Sequence, residues 1–133
     1  MKVSVITPLL NGEKTLKDCI DSVKFQTYEN IEHIVIDGGS KDKSLDVLEK
    51  CKSNNLIILH QKSTGLYPAI NEAMKAASGD IITVLNCDDF FSTIKTVEYV
   101  VNFGFLSSYV DIVYGDLVCV SARTGHVVRD WRS

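Results

Sequence analysis

The arrangement most able to do chemistry is Asp88-Asp89, which follows the apolar run 81–85 and precedes Phe90-Phe91. Adjacent carboxylates repel each other and are costly to desolvate. Two readings account for them. An Asp after a strand caps the next helix, or paired acids beside an apolar wall hold a divalent cation. A third acid, Asp37, ends the run 31–37 and precedes Gly38-Gly39-Ser40. It is either a turn residue or an acceptor of hydrogen bonds from a base or ribose, as acids after a second strand are in dinucleotide folds. The chain has no G-x-x-x-x-G-K-[ST] loop, and "DGGSKD" is not a G-x-G-x-x-G fingerprint, so a diphosphate would find no glycine-rich cradle. Mg²⁺ or Mn²⁺ on Asp89 and Asp88 would neutralise it instead. Such cations take one or two protein carboxylates, with phosphate oxygens and water completing the shell.

The elements that must position these acids alternate. The stretch 2–7 is β-branched and stops at Pro8 and Asn11-Gly12; Leu16, Cys19, Ile20 and Val23 then predict a helix over 13–26. A strand over 31–37 leads to a helix marked by Leu45, Leu48 and Cys51 and capped by Ser40 or Asp42, then to a strand over 56–60. Pro68 opens a third helix with the apolar face Ala69, Ile70, Ala73, Met74 and Ala77, and Gly79 suits its carboxyl cap. A strand over 80–85 and a helix through Ile94, Val97 and Val101 follow. Residues 111–116 read as a fifth strand, and 117–129 as a hairpin turning at Arg123-Thr124-Gly125. This order specifies an α/β, mostly parallel sheet with helices on both faces, ending in a short hairpin. Ligands of such sheets bind beyond the carboxyl ends of the strands, where strand order reverses. With strands one and four adjacent at that point, 7–11, 36–40 and 86–89 converge.

A length of 133 residues with 45% hydrophobic residues implies one domain, residues 1–133, with a real core. The net charge of −3 without a basic block excludes nucleic acid as a partner. No stretch approaches a membrane span. The short apolar amino terminus lacks a cleavage site, so a cytoplasmic protein is expected. Cys19, Cys51, Cys87 and Cys119 form no C-x-x-C pair and read as free structural thiols. His33, His60 and His126 read as structural or solvated, and Trp131 is either exposed for a partner or folded onto the hairpin.

The segments "VSVITPLLN", "DSVKFQTYENIEHIVIDGGSKDKSLDVL", "GLYPAINEAMKAASGDIITVLNCDDFF" and "DIVYGD" resemble, in that order, the amino-terminal half of family 2 glycosyltransferases. The resemblance covers residues 2–118 and implies a Rossmann-like GT-A fold. It also implies inverting, metal-assisted transfer of a sugar from a nucleoside diphosphate, foremost a UDP-sugar, to a saccharide or lipid-linked acceptor. Bacterial surface polysaccharide assembly is the implied setting, in the cytoplasm or peripherally at the inner membrane. Thr7, Pro8 and Asn11 match the loop around the base, and Asp37 the acid at base or ribose. Asp88 and Asp89 match the DXD-type motif, with Asp89 the usual metal ligand. Gln61, Ser63 and Pro68 stand where relatives carry acids, and Leu10 where an aromatic is common. In the family the general base lies on the second half of the fold, which this chain is expected to lack, so no catalytic residue is assigned; Asp111, Asp116 and Asp130 are the acids downstream of the motif. The alternative is a catalytically incomplete fragment serving as a nucleotide-binding or oligomerising module, and a homo-oligomer is in keeping with either.

Overall fold

A computed structural model describes residues 1–106, 110–121 and 123–132. The chain forms two compact units, Met1–Glu98 and Tyr99–Ser133. The first contains β1 (Val3–Leu9), α1 (Leu16–Lys24), β2 (Ile31–Asp37), α2 (Ser44–Lys50), β3 (Leu56–His60), α3 (Leu66–Ala76) and β4 (Ile81–Val84). The strands are parallel in the order β3-β2-β1-β4, so β1 and β4 are neighbours at the reversal, as the alternation predicts. A short α4 (Thr96–Tyr99) follows, with Val97 buried and Ile94, an expected core position, exposed.

Both central strands are buried along their whole length because each face is covered. Side chains alternate between faces. Ile6, Ile34 and Ile36 pack with Ala69 and Ala73 of α3, whose small side chains let it lie close to the sheet. On the other face Leu9 and Val35 meet Leu16 and Ile20 of α1 and Leu48 of α2. Each such Val, Leu or Ile side chain contributes about 1.5–3 kcal/mol on burial. In α1 the buried set is Leu16, Cys19, Ile20 and Val23, at the expected spacing. The helix is shorter than expected because residues 12–15 form a turn, with the Thr15 and Leu16 N–H groups both donating to the Gly12 carbonyl. In α2 the inward residues are Ser44 and Leu48, with Val47 and Cys51 packed alongside, while Leu45 is turned to solvent.

Pro8 does not end β1 as the sequence suggests; it pairs in register with Ile36. Backbone groups of a parallel strand face its two neighbours alternately. Val3 N–H and Leu9 C=O bond the β2 side (Asn30 O and Gly38 N), whereas Lys2 C=O and Ile6 C=O accept from Ile81 and Leu85 on the β4 side. The missing N–H of Pro8 therefore falls on the β4 side, so its pairing with β2 loses nothing. The β1–β4 ladder stops at Ile6–Val84, whereas β1–β2 runs on to Leu9–Asp37.

Gly79 is likewise not a helix cap, since α3 ends into an extended Ala77. A Cβ on Gly79 would lie 2.5 Å from Ser4 Oγ and 2.7 Å from Ser4 N, so glycine is required by close approach. Around this contact Glu32, 5% exposed, accepts from Ser4 Oγ (2.6 Å), Ser78 N (2.7 Å) and Ser78 Oγ (2.8 Å) and pairs with Lys2 Nζ (2.5 Å). Burial alone would raise the Glu32 pKa; these four partners outweigh it and hold the carboxyl down at about 2.

The second unit contains a π-helical segment, Val100–Leu106, and an antiparallel hairpin of β5 (Leu117–Val120) and β6 (Val127–Trp131). The strand expected over 111–116 is not formed: 112–116 is irregular, and pairing begins at Leu117 opposite Trp131. The hairpin turns where expected, with Gly125 at φ +70° and its N–H on Ser121 O at 2.8 Å. No described helix is long and apolar enough to cross a membrane.

Candidate functional site

The carboxyl ends of β1, β2 and β4 present the loops that carry the candidate residues. The first two loops are latched together. Asn11, at φ 54°, donates its N–H to Ser40 Oγ (2.9 Å) and accepts Lys41 N–H on Oδ1 (2.8 Å). Gly12 N–H donates to Ser44 Oγ (2.9 Å), Glu13 N–H to Asp42 Oδ2 (3.0 Å), and Lys43 N–H to Glu13 Oε2 (2.8 Å). Asp42 also accepts Ser44 N–H at 2.9 Å, but the N-cap of α2 is Lys43, so neither expected cap takes that position, and Ser40 bridges the loops. The pKa of Asp42 is lowered, these hydrogen bonds from Ser44 and Glu13 overcoming desolvation.

The β4 loop joins the same cluster through Gly12. A Cβ there would lie 2.9 Å from Leu9 Cδ1 and 3.0 Å from Cys87 Sγ. Cys87 is half-buried and its thiol pKa is raised, foremost by that burial. Beneath it Cys19 is buried with its Sγ 3.5 Å from Asn86 O, and burial pushes its thiol up to about 12.

Each candidate then has a definite surrounding. Thr7 is fully buried on the α1 face, its hydroxyl 2.9 Å from His33 Nε2. Pro8 is buried in the strand, and Asn11 is exposed on its loop. Asp37 is 3% exposed; Oδ1 accepts Ser40 N–H at 3.1 Å, and Oδ2 accepts Gly39 N–H at 3.1 Å. His60 Nδ1 stands 3.8 Å from Asp37 Oδ2 with its ring largely exposed. Asp89 is half-buried and held by Asn86, whose Nδ2 donates to Asp89 Oδ2 at 3.0 Å and whose carbonyl accepts Asp89 N–H at 3.0 Å. Asp88 is exposed, and its carboxylate makes no hydrogen bond or ion pair among the described residues. These two adjacent acids, with oxygens still open, fit a hard cation that also takes phosphate oxygens. No cluster of three or more metal-binding side chains occurs among the described residues.

The loop 61–65 has its own support, which the sequence reading did not foresee. Glu72 of α3 accepts the N–H groups of Lys62 (2.9 Å) and Ser63 (3.0 Å) as well as the Ser63 hydroxyl. Its pKa is lowered, foremost by the Ser63 hydroxyl. Gln61 donates to Gly65 O at 2.7 Å, and its Oε1 lies 3.0 Å from where a Gly38 Cβ would sit. All four cysteines are free thiols, as expected.

This geometry has counterparts among known proteins. The family described as Glycosyl transferase family 2 matches residues 4–132. A PGL/p-HBAD biosynthesis glycosyltransferase of Mycobacterium bovis (strain BCG) is 34% identical over 123 residues, 90% of this chain and 48% of that protein. Glycosyltransferase GlyG of Streptococcus pneumoniae is 36% identical over 90 residues, covering 65% of this chain and 30% of that protein. This chain thus spans about half the length, or less, of these curated relatives. Among solved structures, S. aureus TarS in complex with UDP superposes with a TM-score of 0.70 at 28% identity, over 77% of this chain and 32% of that one. A Pyrobaculum calidifontis mannosyltransferase in complex with GDP-Man and Mn²⁺, at 21% identity and a TM-score of 0.69 over 90% of this chain and 35% of that one, shares the fold. The parallel sheet, its strand order and these matches together show that the chain has the GT-A fold and belongs to glycosyl transferase family 2.

Proposed function

We propose that residues 1–133 form a single nucleotide-sugar-binding domain of a glycosyltransferase, acting in the cytoplasm in surface glycan assembly. The donor is a nucleoside-diphosphate sugar, foremost a UDP-sugar, and the acceptor a saccharide or lipid-linked hydroxyl. The observation that carries this reading is the meeting of the loops after β1, β2 and β4 at the carboxyl edge of the sheet, where Asn11 is bonded to the Ser40–Lys41 turn and Gly12 packs on Cys87. Thr7, Pro8, Asn11 and Asp37 shape the nucleoside end. Thr7 and Asp37 do so from buried positions, by fixing the strand and the 38–40 turn. Asp89, with Asp88, holds a divalent cation, Mg²⁺ or Mn²⁺. When bound, that ion would screen the charge of the departing diphosphate. Asn86 orients Asp89, and the acceptor hydroxyl attacks with inversion.

The test is thermal unfolding with UDP, GDP or dTDP, each with Mn²⁺ and then with chelator. Ligand at 100 times its Kd stabilises by about 2.7 kcal/mol, and several degrees are expected for one nucleotide with metal only. Asp89→Ala should remove the shift. Binding that survives this change undiminished ends the metal role. A second reading, a nucleotide-binding module without transfer, is favoured by the loop in which Gln61, Ser63 and Pro68 replace the acids of relatives. Metal-dependent binding without release of sugar to any acceptor would select it.

A further inference from the structure

The first unit also carries a groove of about 370 Å³ between α1 and residues 90–94. Its floor is apolar: Phe25, Phe90 and Ile94 are each more than half exposed. Its walls are fixed by hydrogen bonds from Phe91 N–H to Ser22 Oγ (3.2 Å), Gln26 Nε2 to Thr93 O (2.8 Å) and Thr27 N–H to Ile94 O (2.7 Å). The charged residues lining it are Asp18 and Asp21. Asp21 is paired with Lys17, and nearby Lys24 lies 5.9 Å over the Phe25 ring. Asp18 has no hydrogen bond or ion pair among the described residues. An apolar floor beside one unsatisfied carboxylate suits an aromatic side chain accompanied by a cation.

The hairpin presents that pair. Arg129 and Trp131 alternate on one face of β6, opposite Cys119 and Leu117, and every β6 residue is exposed. The Arg129 guanidinium stacks 4.5 Å over the Trp131 ring and has no acidic partner among the described residues, whereas Arg132 is paired with Asp130 at 3.2 Å. We infer that the groove receives the Arg129–Trp131 face of the hairpin of a second copy of this chain, with the indole on Phe25, Phe90 and Ile94 and the guanidinium at Asp18. One unpaired acid meets one unpaired base, and each covers apolar surface the other leaves in water. Since every copy carries both halves, a two-fold exchange and a head-to-tail chain both satisfy the contact, and the small patch makes the association weak and concentration-dependent.

Trp131 is the only tryptophan in the chain, so its emission reads the contact directly. Sedimentation velocity and fluorescence are followed together from micromolar to millimolar protein. Mass above the monomer and a blue shift of the emission should rise in parallel. Asp18→Lys and Phe90→Asp should each abolish both while leaving the circular dichroism unchanged, and mixing Asp18→Lys with Arg129→Glu should restore association. A monomer throughout overturns the inference. So does association indifferent to Asp18→Lys and Phe90→Asp, which would use another surface. Blue emission independent of concentration, meaning that Trp131 is covered within its own copy, overturns it as well.

Discussion

The Thr7 hydroxyl lies 2.9 Å from His33 Nε2, and both side chains are buried on the face of the sheet under α1. Thr7→Val keeps the shape but leaves that imidazole nitrogen without its partner, which costs about 1–3 kcal/mol. Thr7→Ser, which retains the hydroxyl, should lose less. Equilibrium denaturation in urea ranks the two, and a Val variant as stable as the wild type would remove the hydrogen bond from the account.

Acid should weaken the fold in two steps. Burial lowers the His33 pKa from 6.5 to about 4. Below pH 6.5 the unfolded chain therefore takes up a proton that the folded chain refuses, and stability falls until about pH 4. Glu32 is held down from 4.5 to about 2 in the fold, so its contribution is intact above pH 4.5 and drains away toward pH 2. In melting temperatures measured across pH, His33→Gln should flatten the upper step and Glu32→Gln the lower one. A profile flat from pH 6.5 to 4 in the wild type contradicts the first assignment.

Gly79→Ala drives a Cβ to within 2.7 Å of the Ser4 backbone nitrogen, which cannot move without disturbing the β1–β4 edge. Overpacking of this kind costs about 1–3 kcal/mol. Chemical denaturation should show a lower midpoint with an unchanged slope.

Glu72→Ala removes the acceptor of the Lys62 and Ser63 N–H groups from an exposed loop. Global stability should change by less than about 1 kcal/mol, as for other exposed sites, while amide exchange at 62 and 63 accelerates. Unchanged exchange at both would show that the loop holds itself without Glu72.

Cys19 should be the last thiol to be alkylated in the folded protein, because it is buried and its pKa stands near 12. Mass spectrometry after brief iodoacetamide treatment reads the order, and early labelling of Cys19 would mean that α1 opens readily.

Where periodicity and burial agree, the fold is legible in the residues alone. Leu16, Cys19, Ile20 and Val23 repeat with the helix and are all buried, and the strand–helix alternation predicts the covered sheet in which all seven residues of β2, Glu32, His33 and Asp37 included, are buried. Legibility fails where a backbone group meets a neighbour remote in sequence. Pro8 reads as a stop unless the β4 side is known to be unpaired there. Gly79 reads as a cap until Ser4 is seen beside it. Leu45 looks inward by type, yet Ser44 takes the inner position by bonding Gly12 and Asp42. In the site, the acids were legible by type and place. The Asn11 latch was not, because it depends on loops meeting across about 30 residues of chain, nor was the Glu72 anchor, which ties a helix to a loop 9–10 residues before it; the turn at Asp37 is local and was one of its two sequence readings.

Pro8 carries a consequence beyond strand pairing. A zipper lacking one tooth closes less firmly past that point, and here the missing tooth is a covalent property of the residue. Beyond Ile6–Val84, position 8 offers the β4 segment a carbonyl acceptor but no N–H donor, whatever occupies the mouth of the sheet. The β1 and β4 segments are joined beyond that point by side-chain packing, Gly12 against Cys87, rather than by a continued ladder.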